Sequence, residues 1–251
     1  MMKKIFFSSL FITILMLLPV KNIMAADTLS TLEENLPQLI GDSNILSIII
    51  MLLVLTLIPT VLLLMTSYTR ILIVLSFTRN ALGTQQMPPN QVLIGIALTL
   101  TFFIMTPVIS EIKEVAFDPY VNQEITVIDA IKLAEKPLKT FMYAEAQTEP
   151  QSINMFLSLS GVSDIPESID DINLSVLIPA FITSELTKAF KIGFMIYIPF
   201  IMIDMVVASI LMSMGMMMLP PAMISLPFKI LLFVLVDGWE LIMKTIIMSF
   251  G

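Results

Sequence analysis

The residues that could do chemistry in this sequence are a few charges set among apolar neighbours: Glu185, Asp204, Lys229 and Asp237. An ionised carboxylate at the centre of an apolar helix costs about 2.5 to 3.5 kcal/mol even on the lenient insertion scale, so Asp204 requires a partner. Lys229, Lys188, Lys191 and Arg70 are the candidates. Asp204 and Asp237 could instead face each other as an intramembrane aspartyl protease requires. However, no GxGD motif stands at Asp237, where the chain reads Leu235-Val236-Asp237-Gly238. Intramembrane charges also couple ions in secondary transporters, which often carry inverted repeats. The two halves of this chain differ in charge and loop length and show no repeat. There is no Cys and no His, which removes thiol chemistry, disulfides, the usual metal ligand and the usual general base. No P-loop is present, so no cofactor or enzyme activity is expected and any driving force must come from partners.

The elements that hold these charges are apolar. Hydrophobic residues make up 57% of the chain and charged ones 13%. The mean hydropathy is +0.95, the composition of a membrane protein. Residues 1–26 read as a signal peptide: Lys3 and Lys4 precede an apolar run, and Ala25 and Ala26 offer small residues for cleavage. An uncleaved first membrane helix is the alternative. Two uncharged runs follow, Ile45–Tyr68 with a kink expected at Pro59, and Val92–Ser110. They make residues 27–110 an N-terminal helical hairpin. The loop between the runs holds Arg70 and Arg79 and no acid, which places it in the cytoplasm. Residues 111–176 form a small, mainly helical extracytoplasmic insert. Between Glu111 and Asp171 it carries twelve acids against four lysines, read as a solvated face.

Residues 177–251 form the last region. Ile192–Phe228 is a run of 37 residues interrupted only by Asp204. As one helix it would be about 55 Å long, against a hydrocarbon thickness of roughly 30 Å, so it must turn back. Gly215, Pro220 and Pro221 mark where. The limbs are then residues 192–218 and 221–251, and the tip is MSMGMMMLPP, with five methionines in seven positions. Asp237, Glu240 and Lys244 make the final segment a poor lone membrane helix, so it should pack against protein. Gly193, Ala208, Ser209 and Gly215 allow close helix approach. The expected fold is an all-α integral membrane-type protein, with about four long hydrophobic helices in hairpins and the helical insert between them.

PAFITSELTKAFKIGF (179–194) and PFIMIDMVVASILMSMGMMM (199–218) resemble the two signature blocks of the FliP family of type III export-gate proteins. LPPAMISLPFKILLFVLVDGWELI and TRNALGTQQMPPNQ extend the resemblance over nearly all of the chain outside the insert. It implies a channel-forming subunit of the flagellar protein export gate, with an injectisome homologue as the alternative. It further implies a pentameric ring of this chain with FliQ and FliR, working with FlhA, FlhB and the basal-body MS ring to pass unfolded substrates, with no nucleic acid involved. The location implied is the bacterial inner membrane at the flagellar basal body, with the assembled core displaced toward the periplasm. Met216, Met217 and Met218, with Met214 and Met212 behind them, would form a pore gasket, because unbranched thioethers can close and deform around any chain. Glu185, Asp204, Lys229, Asp237 and Arg70 would be buried charges, with Glu185, Asp204 and Lys229 lying between subunits. The family commonly reads SELK where this chain has Ser184-Glu185-Leu186-Thr187-Lys188, so only Glu185 carries over.

Overall fold

The computed structural model describes residue 49 onward, apart from 50–51, 54–55, 58–59, 62, 85, 146–147, 162–168, 217–218 and 251. The signal peptide and Pro59 lie outside the described residues. The chain divides into two compact units, residues 1–57 and 58–251.

All regular structure among the described residues is helical. Seven helices organise the second unit: α1 Tyr68–Leu82, α2 Asn90–Val121, α3 Val127–Thr140, α4 Pro150–Leu159, α5 Leu174–Ser213, α6 Pro221–Leu235 and α7 Gly238–Met248. Among the described residues only α2 and α5, of 32 and 40 residues, are both long and apolar enough to cross a membrane; α6 is apolar but shorter. Of about four long spans expected, two are therefore shown among the described residues, and part of the expected first run, Ile45–Tyr68, lies outside them.

Three boundaries move. The stretch after Tyr68, read as part of the loop between the two runs, is helix α1, because Ile71, Val74, Leu75 and Leu82 fall on one face and are buried there. The run ending at Tyr68 is broken before that point by a turn at Met65–Ser67. Helix α2 does not stop at Ser110 but continues through a π-helical turn at Lys113–Phe117, and thus carries the membrane-like run into the insert. Helix α5 begins at Leu174, well before Ile192, where Asn173 Oδ1 accepts the Ser175 N–H at 3.1 Å as an N-cap.

Helix α5 is the axis of the fold, and α1, α4 and α6 all pack against it. Contacts between α1 and α5 climb in step: Arg70 meets Glu185, and Phe77 lies against Gly193 and Phe190. The two helices therefore run side by side in the same direction. Gly193 is required there, since a Cβ at that position would sit 2.6 Å from Phe77 Cγ. Leu177, Ala180, Phe181 and Ala189 of α5 complete the core with Phe141 and Met142. The solvated-face reading of the insert fails at Lys139, which is 7% exposed and pairs with Glu135 at 2.7 Å.

Candidate functional site

The turn after α5 is explained by its sequence. Gly215 has φ +74°, which a Cβ would penalise. Its N–H bonds the Met212 carbonyl at 3.0 Å, and the Met216 N–H reaches back to Leu211 at 3.0 Å. These paired bonds are a Schellman motif, which satisfies carbonyls that the helix end would leave open. Pro220 then precedes α6 and Pro221 opens it, where a missing N–H costs nothing. Gly215, Pro220 and Pro221 thus sit where the chain turns back. Met212 and Met214 are exposed at 58% and 64%, and Met216 is half-buried. Met217 and Met218 lie outside the described residues.

The limbs beneath this tip are joined by one polar cluster. Asp204 on α5 accepts from Ser225 Oγ at 2.5 Å through Oδ1 and from Lys229 Nζ at 2.7 Å through Oδ2. Ser225 and Lys229 stand four residues apart on α6, which puts both on one helical face. Lys229 is 5% exposed, and its ammonium also donates to the Ala81 carbonyl at 3.2 Å. That carbonyl belongs to the last turn of α1, where helix carbonyls lack partners and a cation is favoured. Lys229 therefore ties three helices, α1, α5 and α6.

A second cluster lies lower on α5. Arg70 and Glu185 are both fully buried. Arg70 Nε donates to Glu185 Oε2 at 2.8 Å and Nη2 donates to Oε1, the two-pronged arrangement that makes arginine–carboxylate pairs strong. Nη1 donates to the Ser249 carbonyl at 2.5 Å and to Ser249 Oγ at 3.0 Å. The Phe250 ring covers the guanidinium, 3.7 Å from its centroid, and stacks on Phe141. Neighbouring Ser184 Oγ accepts the Glu149 N–H at 3.0 Å, and Glu149 pairs with Lys191 at 2.9 Å.

Of the partners considered for Asp204, Lys229 is the one present, while Arg70 is engaged by Glu185. Both pairs close within one chain, whereas the resemblance placed Glu185, Asp204 and Lys229 between subunits. Arg70 is also not a loop charge, and Arg79 likewise lies on a helix, in the last turn of α1. Asp237 departs from the buried-charge expectation. It is exposed at the break between α6 and α7, with φ +50° and ψ 49°, so its part is in the backbone turn. Asp204 and Asp237 thus have unlike surroundings, not the shared one of a catalytic pair. Sequence reasoning missed Ser225, Ser249 and Phe250. The spacing of Ser225 to Lys229 could have revealed the first; nothing local marks the other two.

Fold and site together define, over the described residues, an all-helical protein with two membrane-length apolar helices, whose buried charges serve to join helices. Residues 51–246 match the FliP family. The chain is 56% identical to the flagellar biosynthetic protein FliP of Bacillus subtilis, with 83% of this chain and 93% of that one covered. It is 49% identical to the protein of the same name from Pectobacterium carotovorum, covering 84% and 81%, and 46% identical to that of Aquifex aeolicus, covering 84% and 89%. The chain belongs to the FliP family of flagellar biosynthetic proteins. Membership and the long apolar helices point to a membrane location.

Proposed function

We propose that this chain is a structural and channel-forming subunit of the flagellar type III export gate, through which unfolded substrates pass. The observation that carries the reading is the α5–α6 hairpin, clamped by Asp204, Ser225 and Lys229 while Met212 and Met214 at its tip stand exposed. A seal for chains of any sequence needs a soft apolar tip on a rigid base, and methionine supplies the softness. In this reading Met216, Met217 and Met218 narrow the pore with Met214 and Met212 behind them, in a pentameric ring completed by FliQ and FliR. FlhA, FlhB and the MS ring surround it at the basal body. The flagellar names of the relatives favour this branch over the injectisome. Replacing Met216, Met217 and Met218 with Ala should leave assembly intact and let small ions leak across the membrane. Unchanged ion conductance in a normally assembled complex would remove the gasket role.

A further inference from the structure

At the connection between α1 and α2 lies an open cleft of about 1150 Å³ that neither ion-pair cluster uses. Arg79, Asn80, Gly83, Gln86, Asn90 and Gln91 line it. No acid occurs anywhere between Asp42 and Glu111. Arg79 Nη1 donates to Asn90 Oδ1 at 2.5 Å and approaches the Pro88 carbonyl at 3.5 Å, both neutral acceptors. Its charge therefore meets no carboxylate among the described residues. Helix α2 opens on the same cleft with Pro89 as its N-cap and no side chain capping its free N–H groups, a further source of positive potential.

From this cleft we infer a docking site for an extended, acidic peptide segment of a partner protein. The cation and the open helix end fit a carboxylate. The four carboxamides around them each offer a donor and an acceptor, as a peptide group does. A lipid headgroup has one phosphate and at most a few donors beside it. An extended peptide repeats a donor and an acceptor at every residue and so can match several of these carboxamides at once, which sets the peptide above the headgroup. Unlike the methionine tip, this site reads charge and backbone.

The test uses the full-length protein in detergent micelles and a fluorescent peptide of alternating Glu and Ser, with a control in which Gln replaces every Glu. The acidic peptide should bind saturably, more tightly than the control, and less tightly as salt rises. Arg79→Gln should weaken it about tenfold or more and erase the preference for Glu. Because Arg79 also holds Asn90 and Pro88, a second variant guards against misfolding. Gln91→Glu puts an acid in the first turn of α2, where it favours the helix, yet it should repel the acidic peptide. Absence of saturable binding, equal affinity for the two peptides, or unchanged binding by the folded Gln91→Glu protein would overturn the site. So would glycerol phosphate competing as well as unlabelled acidic peptide, since that would identify a headgroup site.

Discussion

Replacing Glu185 with Ala removes the carboxylate that Arg70 grips with two bonds while leaving the guanidinium where no water reaches it. Breaking one side of a buried pair costs about 3 to 5 kcal/mol, because the remaining charge stays desolvated. For a chain of this size each kcal/mol moves the melting temperature by about 2 to 4 °C, so the variant should melt roughly 6 to 20 °C lower. Arg70→Met combined with Glu185→Leu removes both charges. That double variant also loses the bonds to Ser249 and the contact with Phe250. An unsatisfied carbonyl costs about 1 to 3 kcal/mol, and a desolvated cation–π contact is worth about 2 kcal/mol. Even so, it should be no less stable than Glu185→Ala, since neither charge of the pair is left buried without the other. Trp239, the single tryptophan, packs edge-on against Phe233 and gives a fluorescence readout of unfolding in micelles. Strictly additive losses in the cycle formed by Arg70→Met, Glu185→Leu and their double variant would refute the reasoning and make the pair incidental to stability.

Two further outcomes rest on the helix contacts. Gly193→Ala places a Cβ 2.6 Å from Phe77 Cγ and 2.9 Å from Phe77 Cβ, the base of the side chain, which can move only with α1. It should cost about 1 to 3 kcal/mol, and in a Phe77→Ala background, which removes the Cγ, that added cost should shrink in melting experiments; an unchanged cost would mean the two residues do not limit the approach. Asp237→Gly should hold or raise stability by up to about 1 kcal/mol, while Asp237→Val should lower it, since a left-handed conformation costs an ordinary side chain about 1 to 2 kcal/mol. A clear loss with Gly would show that the Asp237 carboxylate itself contributes.

The turn was legible because its signals are local: a glycine with positive φ, two prolines and a run too long for one span. The need of Asp204 for a partner was likewise legible, since burial of a carboxylate in an apolar helix has only one remedy. What periodicity could not supply was which helices lie together. Arg70 looked like a loop charge because TRILIVLSFTRNAL contains two cations and comes after an apolar run. Its true setting depends on Glu185, Ser249 and Phe250, which are remote in sequence. Lys139 misled in the opposite sense: helical alternation put it among solvated charges, and packing of α3 buried it. The methionines gave their chemistry but not their surroundings: Met212 and Met214 are exposed on this chain, and Met217 and Met218 lie outside the described residues.

The placement of the two charge clusters bears on how such a hairpin could work. Asp204 lies nine residues before the end of α5 at Ser213, about 14 Å along the helix. Below it, Lys229 joins the limbs and reaches α1, and Arg70 with Glu185 joins α1 to α5 lower still. Above it, the turn is held by local backbone bonds, from Gly215 to Met212 and from Met216 to Leu211. Rigidity is thus concentrated at and beneath Asp204, and compliance in the turn above it. A load on the tip would then be taken up by methionine side chains and the turn first, before it strained the desolvated pairs. That order is what a seal requires if it must deform and close again without loosening the helices that carry it.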